Sequence, residues 1–162
     1  MRLRLGLMFS ILLFSFNAIA ADWLHQIILQ KGNPATGTKS PGHSFFNDHR
    51  LLFFYGSQCP HCQRFAPILK RWSQHNEAQV LAVSLDNQPL PEFPHFILAD
   101  KEWINAAFQT NPIQYPALFI IGNKNKILYP VGFGAMGFEE MEDRMQQLIP
   151  KIKAYELKRG SL

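Results

Sequence analysis

The segment LLFFYGSQCPHCQRFAPILKRW, residues 51–72, constrains the fold of this chain more than any other stretch. It begins with a continuous apolar run of strand length, passes through a turn at residues 56–58, and continues with apolar side chains at helical spacing. A strand, a turn and a helix in that order place Cys59 at or just before the first helical residue. Cys62 then lies one turn later on the same face of the helix.

Cys59 and Cys62 are the only cysteines in the 162 residues. A chain of this length buries a core of its own and needs no disulfide as a staple. Its composition, 47% hydrophobic with 14 phenylalanines, is that of a folded domain rather than a disordered segment. The cysteine pair therefore indicates a reactive role rather than a structural disulfide.

The first 20 residues predict a secretory signal peptide that is cleaved after Ala20. Arg2 and Arg4 precede an apolar run, and an Ala-x-Ala site follows it. The run has 12 residues, whereas roughly 20 are needed to cross a bilayer, although an uncleaved anchor stays an alternative. Without this segment 14 basic and 12 acidic side chains remain, and a net charge of +2 argues against a nucleic-acid partner. Export places the cysteines in an oxidising compartment.

The predicted position of Cys59 suits a nucleophile. A helix N-terminus carries roughly half a positive charge, which stabilises a thiolate. We therefore expect Cys59 to attack and Cys62 to be the shielded cysteine that resolves the mixed disulfide. Pro60 is compatible with a first helical turn. His61 brings an imidazole near the Cys59 sulfur, and we expect these two intervening residues to tune the thiol pKa.

Three other uses of a Cys-x-x-Cys pair fit less well. A structural zinc site needs four ligands, and the histidines outside this motif do not stand at the spacing of a ligand pair. Covalent haem attachment needs a histidine directly after the second cysteine, where this chain has Gln63. An inert disulfide stays an alternative, but an exposed helix start is a poor place for one.

The rest of the chain predicts further strands and helices. These are a strand at 80–86, a helix at 100–110 capped by Asp100, two strands at 117–121 and 126–131 around a hairpin turn, and a closing helix at 137–155. Pro150 should kink or end the closing helix.

The chain from about residue 50 to 150 resembles a thioredoxin-fold domain. The resemblance rests on CPHC after a strand, on Pro67 inside the following helix, and on the segment YPALFIIGNKNKILYPVGFG. It implies an α/β fold with a central mixed sheet of four or possibly five strands flanked by helices. It also implies that Pro116 is cis and faces the redox pair, and that the backbone of Tyr115 pairs with an extended substrate peptide.

Within that fold, several branches fit poorly. The CPHC motif is that of DsbA-type oxidases, but the 53 residues between Cys62 and Pro116 leave no room for their helical insertion. The residues before the domain are too few for the dimerisation domain of DsbC-type isomerases. Cytoplasmic thioredoxins have a buried acid where this chain has Phe53, which disfavours a thioredoxin-style reductant.

The chain most resembles the TrbB-like thiol-disulfide isomerases of F-type conjugative transfer systems. The shared pattern CPxCxxFxPxLK is met by Cys59, Pro60, Cys62, Phe65, Pro67, Leu69 and Lys70. Tyr115 departs from the threonine expected in that group, which affects substrate preference and redox direction.

The resemblance implies a periplasmic protein that forms or reshuffles disulfides in exported clients of a conjugative pilus or type IV secretion assembly. We expect cysteine-containing clients, a membrane redox partner, and no cofactor or metal beyond a Cys59–Cys62 disulfide. We also expect a monomer without stable membrane insertion after signal cleavage. A peptide-binding assembly chaperone without redox turnover and a periplasmic reductase are the alternatives.

The predicted domain organisation has four parts. They are a signal peptide at 1–20, a short helix and Pro/Gly linker at 21–43, a thioredoxin-like domain at 44–155, and a basic tail at 156–162.

Overall fold

The strand and helix predicted around the cysteines are present in the structure, a computed structural model that describes residues 44–160. The elements in chain order are a 3₁₀ turn (Phe45–Asn47), β1 (His49–Tyr55), α1 (Pro60–His75), β2 (Val80–Ser84), β3 (Ile97–Leu98), α2 (Lys101–Phe108), β4 (Ala117–Gly122), β5 (Leu128–Phe133) and α3 (Phe138–Gly160). The predicted signal peptide, short helix and linker lie outside the described residues.

The five strands of the described region form one mixed sheet in the order β3-β2-β1-β4-β5. β1 pairs parallel with β2, with Tyr55 opposite Ser84, and antiparallel with β4, with Phe54 opposite Ala117. The carboxyl ends of β1 and β2 and the amino end of β4 therefore meet at one edge of the sheet. The residues that follow β1 and β2 and precede β4 are brought together there.

The side chains of β1 alternate between two apolar layers. Leu51, Phe53 and Tyr55 belong to the layer that α1 and α3 cover, whereas Leu52 and Phe54 belong to the layer that α2 covers. Because both faces of the strand are buried, its sequence is continuously apolar instead of alternating. The predicted α/β architecture, with a mixed sheet between helices, is confirmed.

The closing helix corrects two predictions. The predictions are an end at residue 155 and a kink or stop at Pro150; instead of stopping at either residue, α3 continues through Pro150 to Gly160. A proline inside a helix removes a hydrogen bond and crowds the preceding turn. Ile149 and Ile152 are buried on either side of it, and this packing holds the helix together across the proline.

Two strands also differ from the prediction. β3 has two residues, too few to show any periodicity in the sequence. β5 begins two residues later than expected and carries Pro130 on the outer edge of the sheet, where a missing N–H group is tolerated. Within residues 44–160, no helix is both long enough and apolar enough to span a bilayer.

Candidate functional site

Cys59 is the N-cap residue of α1, as the order of strand, turn and helix predicts. Its backbone is extended, with φ −78° and ψ 118°, and its carbonyl accepts the first helical hydrogen bond from the Gln63 N–H at 3.0 Å. Pro60 follows at the first helical turn, where a backbone N–H would have no helical partner. Cys59 is partly exposed. Cys59 thus lies at the positive end of the helix dipole.

Cys62 lies one turn later and is fully buried, with 0% of its surface exposed. Burial raises the pKa of its thiol from 9.0 to about 12; a hydrogen bond with the Gly56 backbone opposes this shift, while the Cys59 side chain and the charge of Asp86 add to it. Both cysteines are free thiols in this structure. The pair therefore combines an accessible sulfur with one that holds its proton strongly.

His61 lies on the exposed side of the motif and pairs with Arg64. The guanidinium Nη2 of Arg64 donates to Nδ1 of His61 at 2.8 Å. A guanidinium has no acceptor, so Nδ1 accepts and the ring hydrogen of a neutral imidazole lies on Nε2. The permanent positive charge next to the motif is therefore that of Arg64, a residue that the sequence did not single out.

Tyr115 and Pro116 reach the same sheet edge through β4. Because Ala117 pairs opposite Phe54, the same register places Pro116 level with Tyr55, the last residue of β1, and Tyr115 level with Gly56. The Tyr115–Pro116 peptide bond is cis, the geometry that the resemblance implied. Pro116 is buried and Tyr115 is 47% exposed, and a Cβ added at Gly56 would lie 3.2 Å from Cε2 of the tyrosine ring. The cis-proline segment thus packs on the turn that precedes the cysteines.

Three side chains that the sequence did not single out hold this turn in place. The carboxylate of Asp86 accepts hydrogen bonds from the N–H and the hydroxyl of Ser57, both at 2.7 Å. The side-chain amide of Gln63 donates to the Ser57 carbonyl at 2.8 Å. The signal for Asp86 was its place just after a strand parallel to β1, since the carboxyl ends of parallel strands share one edge.

This arrangement is able to support thiol-disulfide exchange. Exchange requires an accessible sulfur and a second thiol close to it. Here a partly exposed cysteine stands at a helix start, a buried cysteine lies one turn later, and an exposed segment with a cis-proline packs on the turn before them. In the described part of the chain, no three Cys, His, Asp or Glu side chains are placed to hold a metal ion.

A protein-family model described as "TraF: F plasmid transfer operon protein" matches residues 44–146. The chain belongs to this family. Protein TrbB of Escherichia coli K12 is 25% identical over 136 residues, which are 74% of this chain and 75% of that protein. The resemblance to TrbB-like proteins that the CPxCxxFxPxLK pattern indicated is confirmed.

Solved structures give the fold of this TraF family member. A thiol:disulfide interchange protein of the thioredoxin family from Chlorobium tepidum TLS is 15% identical, with a TM-score of 0.50 over 65% of this chain and 83% of that chain. The thioredoxin domain of a thiol-disulfide oxidoreductase from Bacteroides vulgatus is 11% identical, with a TM-score of 0.47 over 65% of this chain and 82% of that chain. The first of these confirms the predicted thioredoxin fold.

Proposed function

We propose that this chain is a periplasmic thiol-disulfide oxidoreductase that forms or reshuffles disulfides in exported proteins of a conjugative transfer apparatus. The observation that carries the proposal is the contrast between an accessible Cys59 at a helix N-cap and a buried Cys62 next to it. Membership of the TraF family and similarity to TrbB support the conjugative setting. The predicted signal peptide supports the periplasm.

The proposed reaction exchanges one disulfide for another. The Cys59 thiolate attacks one sulfur of a client disulfide, whose S–S bond breaks and whose other sulfur leaves as a thiolate. Cys62 then loses its proton and attacks the Cys59 sulfur, which releases the client and leaves a Cys59–Cys62 disulfide. Two electrons have passed to the client. The same steps in reverse oxidise a client dithiol.

Isomerisation uses the same mixed disulfide without net electron transfer. A thiolate of the client attacks the client sulfur bound to Cys59, forms a new client disulfide, and displaces Cys59 as a thiolate. We propose that Tyr115 and Pro116 hold the client backbone beside the cysteines by strand addition. A membrane redox partner would return Cys59 and Cys62 to their resting state, and no cofactor enters any step.

The test is the exchange activity of single cysteine variants, measured by the reduction of disulfide-bonded insulin and by the reactivation of scrambled ribonuclease. Cys59→Ser should abolish activity, because no thiolate remains at the helix start. Cys62→Ser should accumulate mixed disulfides with clients, which non-reducing electrophoresis separates. Circular dichroism of both variants controls for folding. Full activity in the folded Cys59→Ser protein would refute the proposal.

The direction of exchange is tested by trapping free thiols in the periplasm. A resting pair that is mostly disulfide indicates an oxidase, because the pair must accept electrons from clients. A resting pair that is mostly thiol indicates an isomerase or a reductase. The structure holds both thiols reduced, and it is the redox partner that sets the resting state.

A peptide-binding chaperone without redox turnover is the second candidate. Three large apolar side chains near the cis-proline segment are exposed: Ile113 at 43%, Tyr115 at 47% and Phe133 at 49%. Such a surface binds extended peptides without covalent chemistry. In that case the double variant Cys59→Ala/Cys62→Ala would keep biological function, whereas Tyr115→Asp would lose it. The oxidoreductase predicts loss in the double variant.

A further inference from the structure

Asp86 is a charged residue beside the cysteine pair to which the exchange described above gives no part. It follows β2 by two residues. Because Tyr55 at the end of β1 pairs with Ser84 at the end of β2, the segment after β2 runs beside the turn between β1 and α1. The Asp86 carboxylate therefore reaches the turn from a different part of the chain.

The carboxylate accepts hydrogen bonds from the ends of both strands. Oδ2 accepts from the N–H and the hydroxyl of Ser57, both at 2.7 Å, and Oδ1 accepts from the Ser84 hydroxyl at 3.0 Å. Burial raises the pKa of Asp86, but the bonds from Ser57, Ser84 and the Gln88 backbone outweigh it and hold the pKa below its ordinary value of 3.8. Asp86 is therefore an anion at neutral pH.

A local turn does not account for these contacts. An aspartate that ends a strand commonly bonds to its own turn, and the contacts with Ser84 and Gln88 are of that kind. The two bonds from Ser57 span 29 residues of sequence and are shorter than the Ser84 bond. Ser57 is buried, with 5% of its surface exposed, so loss of this acceptor leaves its N–H without the carboxylate as a partner.

We propose that Asp86 is a positioning residue for both cysteines: its bonds to Ser57 fix the turn that presents Cys59, and its negative charge acts on the buried Cys62 beside that turn. The inference rests on the function proposed above. Ser57 stands two residues before Cys59, whose own N–H donates to the Gly56 carbonyl at 3.2 Å. A movement of Ser57 therefore moves the N-cap of α1.

The turn also brings Asp86 close to Cys62, because Asp86 bonds to Ser57 and the backbone of the neighbouring Gly56 bonds with the Cys62 thiol. The pKa of Cys62 responds to the groups around it. These groups are the Gly56 backbone, the Cys59 side chain and the charge of Asp86. Burial and Cys59 contribute more to the raised pKa of Cys62 than Asp86 does, and the Asp86 charge acts in the same direction.

A protonated Cys62 lengthens the life of the mixed disulfide on Cys59. The resolving step needs the Cys62 thiolate, and a smaller thiolate fraction slows it. During that interval a client thiolate is able to attack its own sulfur in the mixed disulfide, form a new client S–S bond and release the Cys59 thiolate. A longer-lived mixed disulfide therefore gives client disulfides more time to reshuffle.

Three variants separate the two effects. Asp86→Asn keeps an oxygen towards Ser57, places its amide towards the Ser84 hydroxyl, and removes the charge. Ser57→Ala keeps the charge and removes one hydrogen bond. Asp86→Ala removes both. Glu140→Gln removes an exposed acid on α3 that pairs with Arg144, and it is the matched charge control.

Two small-molecule measurements follow the cysteines. The first is the rate at which the Cys59 thiolate opens an aromatic disulfide probe. Asp86→Ala should slow this reaction roughly tenfold. Asp86→Asn should slow it by less than about threefold. The second is the pH profile of Cys62 alkylation in a Cys59→Ser background; Asp86→Asn should speed alkylation at fixed pH about threefold. Ser57→Ala should slow the first reaction and leave the second unchanged, and Glu140→Gln should change neither.

The proposal is overturned if Cys62 in the Asp86→Asn protein alkylates no faster than in the unsubstituted parent. It is also overturned if Cys59 in Asp86→Ala and Ser57→Ala attacks the probe at the original rate. If Asp86→Ala does not fold, Ser57→Ala decides the second question alone. Both probes report on the thiols independently of any client, so a failure of the proposed function in the client assays is distinguishable from a failure of this inference.

Discussion

Two carboxylates lie at opposite ends of β1. At its carboxyl end, Asp86 is exposed and accepts bonds from Ser57 and Ser84. At its amino end, Glu156 of α3 is 24% exposed in its side chain, and Oε1 faces three donors: Nε2 of His49 at 3.1 Å, the Asn125 amide at 2.8 Å and the Tyr129 hydroxyl at 2.9 Å. Each carboxylate joins a strand end to a distant segment.

The two carboxylates differ in the segments that they join. Asp86 joins the loops that border the cysteines, so its loss is expected to change reactivity first. Glu156 joins the last helix to the central strand and to the hairpin after β4, so its loss is expected to change stability first. An open groove of about 890 Å³ beside Glu156 contains none of the predicted site residues among its lining residues. The size of a concavity therefore does not locate the chemistry here.

The largest expected effect concerns the two thiols at the Asp86 end. Because the pKa of Cys62 is raised from 9.0 to about 12, its thiolate fraction at neutral pH is about a thousandfold below that of an ordinary thiol. In the folded, reduced protein, iodoacetamide should therefore label Cys59 far faster than Cys62, as peptide mass spectrometry would show. In urea, where the protein is unfolded, the two cysteines should be labelled at equal rates. Equal labelling in the folded protein would contradict the burial of Cys62.

The next effect tests the Glu156 end. Glu156→Gln weakens three hydrogen bonds to a charged acceptor and should lower the free energy of unfolding by about 2 kcal/mol. Both ring nitrogens of His49 face acceptors, the Phe45 carbonyl at 3.0 Å and this carboxylate at 3.1 Å, which adds to the loss. The free energy of unfolding is measured by urea titration with circular dichroism as the signal.

Glu140→Gln on the same helix is the matched control for that experiment. Its carboxylate pairs with Arg144 at 2.9 Å in solvent, and an exposed pair contributes less than about 1 kcal/mol. Exchange rates per folded molecule should be unchanged in both variants. If the exchange rate falls as much in Glu156→Gln as in Asp86→Ala, the two carboxylates do not have separate roles in stability and in reactivity.

A smaller effect concerns acid stability. Burial raises the pKa of Glu156, but hydrogen bonds from His49, Asn125 and Tyr129 outweigh it and hold the pKa below its ordinary value of 4.5. The stabilisation is therefore present above that value and is lost as the pH falls through the lower, folded pKa. The difference in unfolding free energy between the parent and Glu156→Gln should shrink as the pH falls below 4.5. A difference that is constant across this range would contradict the assigned role.

Local signals in the sequence sufficed for the fold and for the two cysteines. The apolar run of β1, the turn after it and the helical spacing beyond placed Cys59 and Cys62 correctly, because each signal lies within a few residues. Asp86 depends instead on the register of β1 against β2, and the His49–Glu156 pair joins residues 107 positions apart. The sequence marks Asp86 only as an acid that follows a strand and does not show its contact with Ser57, and no local signal marks the His49–Glu156 pair.

The outer strands have a consequence for a protein that is proposed to handle partly folded clients. An unpaired strand edge offers a row of backbone donors and acceptors on which another chain is able to build. One edge of this sheet is only the two residues of β3, and the other carries Pro130, which has no N–H to donate. Within residues 44–160, the sheet therefore offers little template on which another chain could aggregate.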